Sequence, residues 1–223
     1  MNLPREPALA ADTAAVLEAA RDFVTAEARA VLDISEQIDE TFVRAAALLL
    51  HSTGKVVVTG AGTSGFVARR AAHLFAVSGT PAFFLNPTDG LHGSLAALSP
   101  DDVLIALSKG GSSEEINNLA ARLQHQGVRV VALTFNASST LAENADIAVA
   151  FRPFTEGDPG GLIAMGSTLA HSAWLDALAV VLMRARQYSW DKVHYSHPGG
   201  AVGAATTLPA PVEPLEIPNL NGR

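Results

Sequence analysis

The chain has 223 residues, 48% of them hydrophobic and 17% charged, against a usual charged share of about 25%. That composition excludes disorder over most of the length and fits one domain with a small appendage, at roughly 100–200 residues per domain. Lys and Arg number 15 against 22 Asp and Glu, a net charge of −7 with no cysteine; this argues against nucleic-acid or anionic-membrane partners and excludes disulfides, thiol nucleophiles and cysteine-ligated metals.

Residues 1–11, with Pro4 and Pro7 and no periodicity, are expected to be a flexible start, without the basic-then-apolar order of a secretory leader. Asp12 and Thr13 are candidate caps for a helix to about Leu32, with Val16, Ala19, Phe23 and Ala26 at three-to-four spacing. A second helix is expected over 35–51, with Ile38, Phe42, Ala45 and Leu49 on one face. Two helices without a core of their own form a cover or an oligomer contact. From Lys55 the pattern changes. Strands are expected over 55–60 (KVVVTG), 80–85, 102–108, 128–134 and 146–150, with helices over 64–78, 113–126 and 139–144 between them. Gly127 is a candidate C-cap. A Pro/Gly loop over 152–161 precedes a long helix from about Leu162 to Arg186. Its most apolar stretch, Ala173 to Met183, contains Asp176 and is too short to span a bilayer, which takes about 20 residues. Residues 204–223, with four prolines, are expected to be an extended tail. A soluble, cytoplasmic protein is expected.

Continuously apolar strands alternating with helices imply a parallel sheet covered on both faces. In such doubly wound sheets, ligands sit beyond the C-terminal strand ends, where the strand order reverses. Two Gly/Ser turns lie at strand ends. The first, GAGTSG over 60–65, has dinucleotide-turn spacing, yet the second strand ends Phe84-Leu85-Asn86 without the acidic residue that would hold a ribose. A nicotinamide dehydrogenase is therefore a weak reading, and a plain tight strand–helix turn is an alternative. The second, Ser108-Lys109-Gly110-Gly111-Ser112-Ser113, offers three hydroxyls, an ammonium and the N–H groups of the next helix. Such donors hold a monophosphate; a polar turn with Ser113 as N-cap is the alternative.

The segments VVVTGAGTSG, SGTPAFFLNPTDGLHG, ALSKGGSSEEI, DALAVVLMRAR and SHPGGAVG, in that order over about 30–203, resemble the SIS (sugar isomerase) domain family. LHG (91–93) and SHPGG (196–200) resemble its arabinose 5-phosphate isomerase branch. The resemblance implies a three-layer α-β-α sandwich with a five-stranded parallel sheet, flavodoxin-like in its winding, as one domain over 12–203. It implies phosphosugar binding at the strand ends, with Gly62, Thr63, Ser64, Ser108, Lys109, Ser112 and Ser113 as substrate-binding residues. His92, His197 and Glu156 match catalytic positions, and no cofactor is implied. Thr63 stands where relatives carry lysine, Ser112 where they carry glutamate, Lys109 where the branch has asparagine and Gly110 where the family has serine. Dimers or tetramers that share active sites are implied, and a homotetramer is expected, with His92 or His197 reaching a neighbour's site. The chain is expected to stop where relatives continue into paired CBS domains.

His51, His73, His125 and His171 lie in helical stretches and read as satisfied surface or core residues. His92, His194 and His197 lack metal-site spacing, so no metal is expected. Asp176, within an apolar run, needs a partner. The expected activity is isomerisation of an aldose phosphate to a ketose phosphate, of the arabinose 5-phosphate/ribulose 5-phosphate kind, through an enediol. Glu156 is the candidate base, with Glu114 and Glu115 as alternatives; His92 and His197 are candidates for ring opening and proton relay. The alternative is a non-catalytic sugar-phosphate sensor or regulatory module.

Overall fold

The structure is a computed structural model that describes residues 9–154 and 156–220. Residues 1–8, most of the segment expected to be a flexible start, lie outside the described residues. The sheet contains β1 (Val56–Gly60), β2 (Ala82–Phe84), β3 (Val103–Leu107), β4 (Arg129–Thr134) and β5 (Ile147–Ala150). All neighbours are parallel, in the order β2-β1-β3-β4-β5. Strand side chains alternate between two cores because successive residues point to opposite faces. Val56, Val58, Val103, Ile105, Val131 and Val149 enter one core, while Val57, Leu104, Ala106, Val130 and Ala132 enter the other.

The first core is covered by α1 (Leu9–Ser35), α2 (Glu40–His51), α3 (Gly62–Val77) and α7 (Gly166–Ala185). The second is covered by α4 (Pro87–Leu91), α5 (Glu114–His125) and α6 (Thr140–Asn144). Two short helices, α8 (Trp190–Ser196) and α9 (Gly200–Gly203), follow. This is the three-layer doubly wound sandwich expected. α3 and α5, the crossovers from β1 and β3, lie on opposite faces, so the winding reverses between β1 and β3. Lys55–Asp102 pins the opposite end of that pair: the buried Asp102 carboxylate accepts from Lys55 N at 2.6 Å and Ser99 N at 2.8 Å and pairs with Lys55 Nζ at 3.2 Å. Burial pushes its carboxyl up, but these bonds outweigh burial and leave it below the usual carboxylate range.

Several boundaries differ from expectation. α1 begins at Leu9, so positions 12 and 13, the expected cap, fall within it rather than at its start. Residues 13–22 of α1 stand clear of the core, with Val16 67% exposed; burial begins at Ala30 and Ile34. α2 starts at Glu40 rather than 35 because Asp39 caps it, accepting from Thr41 N at 2.8 Å. The last long helix starts at Gly166, not Leu162: Leu162 closes a 3-10 turn over Pro159–Gly161 and is 88% exposed, and Asp158 Oδ1 accepts from Met165 N and Ser167 N where the helix begins. At 20 residues α7 is long and apolar enough to cross a membrane, so its length does not exclude a span; more than half of it is buried within the fold. Asp176 finds its partner in Arg70, by two bonds of 2.6 and 2.9 Å. After a turn at Ala204 the described chain forms no helix or strand, and it is held by Trp190 Nε1 donating to Ala210 O at 2.9 Å and Arg184 Nε donating to Glu213 O at 2.8 Å.

Candidate active site

Register brings the two glycine turns together. Gly60 of β1 is paired with Leu107 of β3, so the turns that follow leave the sheet side by side at the point where the winding reverses. The 60–65 turn is tight for a steric reason: a Cβ on Gly60 would press on the Ser64 carbonyl, and one on Gly65 on the Gly60 carbonyl. Gly62, at φ 54°, opens α3 together with Thr63 and Ser64; Gly62 and Thr63 are exposed and Ser64 is half-buried.

In the 108–113 turn the buried Ser108 hydroxyl accepts from Gly111 N at 3.1 Å and lies 3.3 Å from Ser113 Oγ. Ser113 occupies the N-cap position of α5, but its side chain makes no capping bond. The α5 N-terminus therefore keeps unpaired N–H donors beside two hydroxyls, the arrangement that favours an anion. Ser112 is exposed. Gly111 (φ 67°) brings the turn so close to α6 that a Cβ would collide with Ser139 Oγ.

Lys109 is not a free cation facing this turn. Its Nζ lies 2.7 Å from Asp158 Oδ2 and donates to Gly161 O at 2.8 Å. Asp158 Oδ1 in turn accepts from Met165 N at 2.8 Å and Ser167 N at 3.0 Å at the start of α7. Burial pushes the Asp158 carboxyl up, but Lys109 and the donors of Ser167 and Met165 outweigh it and hold it below the usual range. Sequence reasoning missed Asp158; its one signal was a carboxylate in a Gly/Pro-rich loop.

The candidate acid–base residues are dispersed. Glu156 points away from the turn toward α1, 3.3 Å from Arg29 Nη1, and is 62% exposed. Together with Phe23, Ala26 and Arg29 it lines a shallow surface cleft. His92, just after α4, is exposed and sits at the C-terminal end of β2. Asn86 fixes this loop by capping α4, accepting from Thr88 N at 2.9 Å. His197, half-buried, ends α8; its Nδ1 donates to Val193 O at 2.7 Å, leaving Nε2 as the acceptor nitrogen. Glu114 and Glu115 lie in the first turn of α5. Among the described residues no group of three His, Asp or Glu is placed to hold a metal.

His171 is not a satisfied core histidine. It is buried on α7 against Phe135 and Phe151, ring centroids at 5.1 and 5.5 Å, and neither ring nitrogen has a hydrogen-bond partner. Burial pushes it down to about 4, against the pull of the nearby Asp158 charge. Sequence position gave no sign of this, because helical spacing does not say which face a sheet covers.

A family model for the SIS domain matches residues 49–181, from the end of α2 through most of α7 and including both glycine turns. The chain belongs to the SIS domain family. The arabinose 5-phosphate isomerase KdsD of Shigella flexneri is 36% identical over 191 residues, which cover 86% of this chain and 58% of that protein. This SIS chain thus spans less than two thirds of the length of such relatives. A crystal structure from Listeria monocytogenes superposes with a TM-score of 0.79 at 35% identity, covering 83% of this chain and 97% of that one. An Escherichia coli CFT073 protein in complex with arabinose 5-phosphate superposes with a TM-score of 0.80 at 30% identity, covering 83% and 98%.

Proposed function

We propose that this chain is a phosphosugar isomerase that interconverts an aldose phosphate and a ketose phosphate, of the arabinose 5-phosphate/ribulose 5-phosphate kind, through an enediol. One observation carries the reading: the 108–113 turn presents two facing hydroxyls and an uncapped helix N-terminus where the winding reverses. The KdsD relatives and the neighbour bound to arabinose 5-phosphate support the substrate class. Residues 12–203 act as one SIS domain, with 204–223 as its tail. Ser108, Ser112, Ser113 and Lys109 bind the phosphate, and Gly62, Thr63 and Ser64 of the adjacent turn complete the pocket. Remote phosphate binding orients carbons 1 and 2. Glu156 removes the proton from carbon 2, while His197, with Nε2 as its acceptor nitrogen, and His92 open the ring and relay protons between the two oxygens. No cofactor takes part.

Within one chain Glu156 faces α1, His92 is exposed after α4 and His197 is half-buried at the end of α8. The full constellation is therefore proposed to form between copies in a homotetramer or dimer. Exposed apolar side chains on α1 (Val16, Leu17, Val24, Leu32) and Phe66 at 74% exposure support that contact.

A sensor without catalysis is the second reading. It is favoured by the pairing of Lys109 with Asp158 and by Ser112, which puts no carboxylate in the turn. Turnover of a panel of pentose and hexose phosphates in heavy water separates the two: an isomerase incorporates deuterium at the product carbon, whereas binding without turnover of any panel member selects the sensor.

A further inference from the structure

Three contacts converge on the side chain of Asp158, which is 6% exposed, and a fourth extends from its cation. Oδ2 meets the Lys109 ammonium at 2.7 Å; Oδ1 accepts from Met165 N at 2.8 Å and Ser167 N at 3.0 Å; and the ammonium reaches on to Gly161 O at 2.8 Å. Around this junction Gly157, Gly160 and Gly161 all have positive φ, and Gly166 N donates to Gly157 O at 2.8 Å. The segment 157–167 is therefore folded around one carboxylate, and its only cation in the described contacts comes from the middle of the 108–113 turn. Two of the three ammonium N–H groups have partners among the described residues, leaving one to donate elsewhere.

We propose that Asp158 is a positioning residue: it fixes the Lys109 ammonium beside the 108–113 turn, so that an anion held in the turn tightens the fold of 157–167. The inference rests on the phosphate-binding reading of that turn. A buried carboxylate stripped of its cation is costly, so Lys109 does not leave Asp158 to meet the anion. The anion instead takes the remaining donor, and the shared ammonium ties turn, loop and α7 together. Asp158→Asn breaks the device and keeps much of the local fold: the amide oxygen still accepts from Met165 and Ser167, while its NH2 group meets the ammonium donor to donor and displaces it.

The probe is inorganic phosphate, with binding followed by calorimetry and amide hydrogen exchange followed in the peptide covering 157–167. With phosphate at ten times its Kd, exchange in that peptide slows by up to about tenfold in the wild-type protein, since opening the junction weakens the anion's hold. At matched saturation Asp158→Asn binds phosphate without this slowing. Lys109→Met, which leaves Asp158 its two backbone donors, also binds phosphate at saturation without the slowing. Exchange that is unchanged or faster in phosphate-bound wild-type protein, or slowing that persists in both variants, overturns the positioning role while leaving the anion site standing. No phosphate binding in the wild-type protein overturns the anion site and the positioning role together.

Discussion

His171 gives a stability effect whose sign and size follow from its burial. In the unfolded chain it gains a proton below about pH 6.5, whereas in the folded protein it stays neutral down to about 4. Its contribution is therefore complete above 6.5 and is lost as pH falls toward 4. Integrated over that window, folding becomes about 2 kcal/mol less favourable at pH 5 than at pH 7 from this residue alone. His171→Leu keeps a similar volume between Phe135 and Phe151 and removes two unpartnered nitrogens. At pH 7 the variant should be neutral or more stable by up to about 2 kcal/mol, because no buried polar atom is left unpaired at the site. Urea unfolding of both proteins at pH 7, 6 and 5, at one protein concentration, isolates the term, since every other titrating group cancels in the difference. The variant should gain on the wild-type protein by about 2 kcal/mol between pH 7 and 5. Parallel pH profiles would refute a buried, neutral His171.

Lys109→Ala should weaken binding of a sugar phosphate by about 1–3 kcal/mol, read by calorimetry, if its remaining donor serves the phosphate. Glu156→Gln should retain binding and lose turnover by about 10²–10⁴-fold; full activity there beside an inactive Glu115→Gln would move the base to α5. Gly111→Ala combines a left-handed backbone with a collision against Ser139 Oγ and should cost about 2–4 kcal/mol in urea unfolding. Asp102→Ala should cost about 1–3 kcal/mol, because it leaves part-buried N–H donors of Lys55 and Ser99 unpaired and removes the pin between the starts of β1 and β3. A monomer mass by light scattering at micromolar concentration would contradict assembly through α1.

The sequence by itself determined the layered α/β architecture, because continuous apolar runs such as VVVTG and VLIAL can be buried on both sides only in a covered parallel sheet. It also marked both strand-end turns, since glycine spacing and clustered serines are local signals that need no knowledge of packing. The short helix α8 escaped notice, as did the delayed start of α7, which Asp158 marks by accepting from Met165 N and Ser167 N. Only the tertiary structure decided the partners of the charged groups. Asp158 and Lys109 are 49 residues apart, and Arg29 and Glu156 are 127 apart; nothing in either neighbourhood encodes those pairings. They arise because the loop after β5, at one edge of the sheet, runs back to the β3 turn before α7 crosses the face. His171 shows the same limit. Its residue type and spacing match those of exposed helical histidines, and its burial comes from Phe135 and Phe151, which only the closing of the sheet under α7 brings against it.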